Sequence, residues 1–259
     1  MACDPWSPNQ YERFRDERSQ PFYDLLALVQ PRRGMRVVDL GCGTGELTAE
    51  MHRRLQARET VGIDSSESML AKARAFANGA MRFTAGDIGQ FAAPGEYDLV
   101  LSNAALQWVS QHDEVLQRWT AALTADGQLA VQVPANDDHP SHSVAHSIAG
   151  EAPFRDALGG YVRPTTILEP EAYAVLLERL GFAAQHVRLQ VYGHRLESRE
   201  AVVEWVKGTL LTGYQRRLSG ELFERFLTRY RERLLPQLPD TCPYFYAFER
   251  ILFWGRRKA

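Results

Sequence analysis

The stretch Val37-Val38-Asp39-Leu40-Gly41-Cys42-Gly43-Thr44-Gly45 constrains this chain more than any other. Its β-branched apolar start reads as a strand buried on both faces. The three alternating glycines let the backbone adopt φ values that a Cβ forbids and pass close to a ligand. Thr44 to Gln56 then places Leu47, Met51 and Leu55 at four-residue spacing, which predicts a helix. Strand, glycine-rich turn and helix open a parallel α/β unit. In such sheets ligands bind beyond the carboxyl ends of the strands, near the topological switch point.

The pattern continues along the chain. TVGID (60–64), MRFTAGD (81–87), YDLVLSN (97–103) and GQLAVQVP (127–134) read as strands. Ser66 suits a helix N-cap, with Met69, Leu70 and Ala73 as the apolar face behind it. Residues 169–180 read as a helix, 183–193 as a strand, 198–238 as helical and Arg-rich, and 245–255 as a last strand. The expected fold is α/β: a Rossmann-like, doubly wound, seven-stranded, mostly parallel sheet with helices on both faces. The stretch NDDHPSHSVAHS (136–147) reads as a polar loop entering an insert.

Composition narrows the function. Lys+Arg 30 against Asp+Glu 32 leaves a net charge of −2, so no general basic field favours nucleic acid. The 13 basic against 8 acidic residues of 195–259 are scattered, with no interleaved aromatic stripe. No apolar run reaches the ~18 residues of a membrane span. MACDPWSPNQ lacks the charged start and apolar core of a signal peptide. Cys3, Cys42 and Cys242 are odd in number and far apart, which suggests neither a disulfide framework nor a zinc ribbon. A reducing, cytoplasmic setting is the expectation.

Three acids then point to a ligand. Asp39 precedes the glycines, where it would repel a diphosphate and favour a cation. That tips the reading from a dinucleotide to S-adenosylmethionine (SAM), whose ammonium and sulfonium are both positive. Asp64 ends the second strand, at the position of a ribose diol. Asp87 follows the third, where a carboxylate can accept from an exocyclic amine. Each alone also reads as a helix cap. Three in order, each after a strand, read better as one site.

This segment resembles the class I SAM-dependent methyltransferases. The flanks are similar to the trans-aconitate 2-methyltransferase family in particular. They are WSPNQYERFRDERSQP (6–21), SNAALQWVSQH (102–112), LAVQVPAN (129–136), EWVKGT (204–209), FLTRYRERL (226–234) and FERILFWGRR (248–257). The resemblance implies a lid at 1–30, a SAM-binding core at 31–135, an insert near the substrate mouth at 136–167, a core helix and strand at 168–195, a helical cap at 196–243 and a final strand at 244–259. It implies cofactor contacts from Asp39, Gly41, Cys42, Gly43 and Gly45, from Asp64, Ser65 and Met69, from Asp87 and Ile88, and from Asn103, Ala104 and Trp108. Tyr11 and Arg18 would close over the cofactor from the lid. Tyr11, Trp108, Asn136, His142 and Tyr214 would face the acceptor. No catalytic base or metal is implied, since a carboxylate acceptor is already ionised at neutral pH. The implied partner is a small-molecule acceptor, with no nucleic acid or membrane, and the chain acts as a monomer or homodimer.

One departure stands out. Where this family usually reads Gly-Thr-x-Leu-Arg-Pro before an aromatic residue, this chain has Thr212-Gly213 in place of Arg-Pro. A carboxylate-clamping Arg is therefore absent there, with Arg216 and Arg217 expected to face solvent. A larger, less charged acid, a specialised-metabolite substrate that is phosphorylated or carrier-bound, C-, N- or O-methylation of it, and non-catalytic SAM binding remain as alternatives. His139, His142 and His146 have metal-like spacing, but Pro140 lies among them, so a loop near the substrate is preferred. Cys42 reads as a packing residue and His112 as a helix start.

Overall fold

The computed structural model describes the backbone of residues 15–258, with side chains from Ser19 onward. Seven strands form one sheet: β1 (Arg36–Leu40), β2 (Glu59–Asp64), β3 (Met81–Ala85), β4 (Tyr97–Asn103), β5 (Leu123–Pro134), β6 (Phe182–Leu196) and β7 (Tyr244–Arg257). Their order is β3-β2-β1-β4-β5-β7-β6. β7 runs antiparallel to both neighbours, and the pairs among β1 to β5 are all parallel. The chain winds outward from β1 to β3, then returns to the other side of β1 as β4. The switch point is therefore the crevice between β1 and β4.

Alternation along the strands divides the sheet's apolar residues between two cores. Val37, Leu99, Leu101, Ala130 and Leu252 join a core with Phe22 and Leu25 of α1 (Arg15–Leu26) and Met51 of α2 (Glu46–Leu55). Val38, Val100, Leu129, Val131 and Phe253 join the opposite core. That core also takes Leu116 and Trp119 of α4 (His112–Ala121), and Tyr173 and Leu177 of α7 (Pro170–Arg179). α3 (Glu67–Ala73) lies between β2 and β3, and Ser66 caps it through a 3.2 Å bond from the Met69 N–H. α1 packs against the sheet through fully buried Phe22 and Leu25.

A third core stands apart. β5 pairs with β7 only from Gln128↔Arg256 to Pro134↔Arg250, whereas β6 stays with β7 as far as Leu196↔Tyr244. The overhanging ribbon carries Tyr244, Tyr246 and Phe248 into a helical lobe. The lobe comprises α5 (Pro140–Ala149), α6 (Phe154–Ala157), α8 (Glu200–Lys207), α9 (Thr212–Gln215) and α10 (Gly220–Leu234). Residues 140–158 and 200–238, separate in sequence, thus share one apolar core. The polar loop expected over 136–147 is corrected here: from Pro140 it is helix. Proline takes the first helical turn, where its missing N–H costs nothing. His139 caps the turn by accepting from the Ser141 N–H at 3.1 Å.

Candidate active site

Four strand ends open onto one cleft of about 860 Å³. β1 delivers Asp39 and then Gly41, Cys42, Gly43 and Thr44; β2 delivers Asp64 and Ser65. Gly86, Asp87 and Ile88 come after β3, and Asn103, Ala104 and Ala105 from the end of β4. Met69 of α3 and Trp108 of the following 3₁₀ turn also line it.

The glycine turn is shaped for close approach. Gly41 has φ +85, and a Cβ there would lie 2.1 Å from the Ala105 Cβ. Gly43 has φ +54 with open space where its Cβ would be. Gly45, expected at the ligand, is absent from the lining. Its missing side chain instead lets α2 start beside Ala73 of α3, where a Cβ would lie 2.8 Å away. Asp64 braces the turn: its Oδ2 accepts from the Gly43 N–H at 2.9 Å and its Oδ1 from the Ser66 N–H at 2.8 Å. Asp87 accepts from the Gly89 N–H at 2.8 Å, so it caps a turn and lines the cleft at once.

Asp39 is buried and accepts from the Thr48 hydroxyl at 2.5 Å. Burial pushes its carboxyl up to about 7; the Thr48 bond opposes that shift and the Asp64 charge adds to it. Burial also drives the Cys42 thiol far above its usual range, which leaves it a packing group. Asn103 Oδ1 is buried without a hydrogen-bond partner among the described residues. Ala104 is left-handed, with φ +55, and its N–H bonds the Gln132 carbonyl at 2.9 Å.

His112 acts from behind this wall. Its Nε2 faces the Leu106 and Val109 carbonyls at 3.0 and 3.1 Å, and its Nδ1 the Tyr173 hydroxyl at 2.7 Å. Two carbonyls demand a proton on Nε2, so Tyr173 donates to Nδ1. Burial lowers its pKa and keeps it neutral, clamping the turn that presents Trp108. Trp108 itself is 40% exposed, with the Arg163 guanidinium 4.8 Å from its ring centre.

Other expected acceptor residues lie elsewhere. Tyr11 and the Arg18 side chain fall outside the described residues. Asn136, His142 and Tyr214 are buried but do not line this cleft. Asn136 donates to the Tyr246 hydroxyl at 3.2 Å, and its Oδ1 accepts from the Glu249 N–H at 3.1 Å. His142 sits inside α5 with its pKa pushed down to about 3 by burial, and the Tyr214 hydroxyl accepts from the Arg163 N–H at 3.3 Å. Among the described residues no His, Cys, Asp or Glu group is arranged for a metal ion, and no helix is long and apolar enough to cross a membrane.

Comparison with known proteins decides the family. Residues 37–127 match the methyltransferase domain family. The chain is 45% identical, over 97% of its length and 98% of the relative's, to the trans-aconitate 2-methyltransferase of Deinococcus radiodurans. This chain belongs to the trans-aconitate 2-methyltransferase family. The Streptomyces avermitilis member is 40% identical over 93% of this chain and 92% of its own. Solved structures share the fold at lower identity. The YcgJ protein of Bacillus subtilis superposes with TM-score 0.62 at 14% identity, covering 93% of this chain and 99% of its own. Phosphoethanolamine N-methyltransferase 2 of Haemonchus contortus gives TM-score 0.56 at 16% identity, over 93% of this chain and 53% of its own. The chain is a SAM-dependent methyltransferase.

Sequence reasoning overlooked part of this family member's cleft. Ser19, Phe22 and Tyr23 of α1 line it, as do Glu46 and Arg53 of α2. The mixed polar and aromatic face of α1 was the available signal. Arg163, which stacks on Trp108 without itself lining the cleft, carried none, because only the fold brings its loop there.

Proposed function

We propose that the chain transfers the SAM methyl group to a carboxylate oxygen of a small organic acid, the class to which trans-aconitate belongs. The observation that carries this reading is the cleft's lining: acids at three successive strand ends, which suit a cationic cofactor, and, among the described residues, no histidine or lysine. Its chemistry suits the cofactor. Gly43 leaves open space, Asn103 Oδ1 lacks a partner, and the buried Asp39 carboxyl is held near 7 until a cation joins it. Asp39 and Asn103 would hold the methionine end, Asp64 and Ser65 the ribose, and Asp87 and Ile88 the adenine.

When bound, SAM supplies a methyl group on a positive sulfur. Asp64 tethers the glycine turn, so the wall that meets the cofactor is set before it arrives. The His112 clamp fixes the Trp108 turn on the far side. A carboxylic acid has a pKa of about 4, so at neutral pH the nucleophile needs no base. The protein's work is to strip water from the carboxylate and align it, which can supply ~7–11 kcal/mol. Methyl transfer between a positive sulfur and a carboxylate would neutralise opposite charges, so excluding water from the cleft would favour it. Mass spectrometry with isotope-labelled SAM and a panel of mono-, di- and tricarboxylic acids tests this reading. A labelled methyl ester is expected. Labelled product on an amine or carbon acceptor alone would overturn it.

A further inference from the structure

The loop that enters α7 passes beside the Trp108 turn. The Thr166 hydroxyl donates to the Gln107 carbonyl at 2.9 Å, which fastens the loop to the segment after β4. Three residues earlier, the Arg163 guanidinium stacks 4.8 Å from the centre of the Trp108 ring. On the lobe side, the Arg163 N–H bonds Tyr214, and Tyr214 packs edge-on against Tyr161 at 5.9 Å. A Cβ on Gly213 would come within 2.9 Å of the Tyr161 hydroxyl, so the glycine leaves room for the loop to sit there. The loop is thus wedged between sheet domain and lobe, with Arg163 at its centre.

No carboxylate forms an ion pair with Arg163 among the described residues. It is half-buried, and burial lowers its pKa, with Asp137 the acid whose charge opposes that shift. His142 and His146 of α5 both feel its positive charge. His146 Nε2 is itself buried with no hydrogen-bond partner among the described residues. A planar fork of donors stacked on an indole, with no carboxylate in ion-pair distance, is disposed to take an anion from a ligand. Guanidinium geometry matches a carboxylate bidentately.

We propose that Arg163, stacked on the cleft-lining Trp108, binds a second, non-reacting carboxylate of the acceptor and so selects polycarboxylic acids over monocarboxylic ones. The assignment rests on the carboxylate-methylation reading above. It makes Arg163 a specificity residue: the carboxylate it holds keeps its charge while another is esterified.

The test compares wild type with Arg163→Gln and Arg163→Lys. Calorimetry follows trans-aconitate and the monocarboxylate crotonate binding to protein loaded with S-adenosylhomocysteine. Steady-state rates follow methylation of both acids. Loss of a charged bidentate bond is expected to weaken trans-aconitate binding about ten- to a hundredfold in Arg163→Gln, and to raise its KM alike. Arg163→Lys keeps the charge without the fork and should fall between. S-adenosylhomocysteine affinity and crotonate kinetics should stay within about twofold of wild type. Unchanged trans-aconitate binding in both variants overturns the assignment, as does an equal loss for crotonate. Wild type that does not bind trans-aconitate also overturns it. Trans-aconitate bound through Arg163 but never methylated leaves the assignment standing and overturns the methyl-transfer reading instead. If Arg163→Gln does not fold, the lysine variant alone decides between these outcomes.

Discussion

The Thr48 hydroxyl donates to Asp39 Oδ2 at 2.5 Å, and both side chains are buried, one on α2 and the other at the end of β1. The bond steadies a carboxylate that burial would otherwise protonate at neutral pH. Thr48→Val removes it, so the Asp39 pKa should rise above about 7. At neutral pH S-adenosylhomocysteine should then bind about ten- to a hundredfold more weakly, the worth of a hydrogen bond to a charge. Part of the loss should return at about pH 9, where Asp39 is again ionised. Titration calorimetry across that range checks it, and a pH-independent loss would mean that Asp39 does not meet the cofactor as a carboxylate.

Asp39 also sets a stability cost. Its folded pKa lies above the unfolded value, so the unliganded protein holds more protons than the unfolded chain between those values. Its contribution is full below about 3.8 and is lost as pH rises through about 7. Asp39→Asn should therefore stabilise the unliganded protein at about pH 8, by at most roughly 4 kcal/mol, while abolishing cofactor binding. Thermal melts with and without S-adenosylhomocysteine measure both effects. A variant less stable than wild type at that pH would contradict the burial argument.

The two glycines of the turn separate packing from binding. Gly41→Ala drives a Cβ into Ala105, at 2.1 Å, in a left-handed conformation. It should lower the melting temperature and cofactor affinity together. Gly43→Ala meets nothing in the unliganded protein. It should cost only the ~1–2 kcal/mol of a left-handed alanine, yet weaken binding strongly by filling the cleft. Equal affinity in wild type and Gly43→Ala would show that the ligand does not pass over this turn.

His112→Ala should strip partners from two carbonyls and the Tyr173 hydroxyl, at a cost of about 1–3 kcal/mol for each group left unsatisfied. Because the clamp holds the Trp108 turn, the KM for the acceptor should rise more than the Kd for S-adenosylhomocysteine. A steep loss of kcat with both unchanged would instead mark His112 as an acid or base.

The parallel sheet was legible from Val37 to Pro134, because each strand there is a short run rich in apolar residues and each is followed by a turn or cap residue. The three acids were legible for the same reason: strand ends are visible in sequence, and parallel strands bring their ends together. The helix at Pro140 was not. Polar residues dominate Asn136 to Ser147, and the few apolar ones, Val144 and Ala145, only make sense against α10, far along the chain. Asn136, His142 and Tyr214 were expected at the acceptor because their segments are near the mouth in order, yet their side chains satisfy the lobe's own hydrogen bonds.

The chain's local pattern by itself determined the fold class, the glycine turn and the acids that line the cleft, since alternation, spacing and strand-end chemistry are local properties. Tertiary structure decided the rest. It raised the pKa of Asp39 through burial, set Gly45 against Ala73 and outside the cleft lining, and merged two distant helical segments into one lobe. It also brought Arg163 onto Trp108, 55 positions away in sequence. Burial, charge pairing and long-range contact depend on which surfaces the whole chain covers, and no local pattern records that.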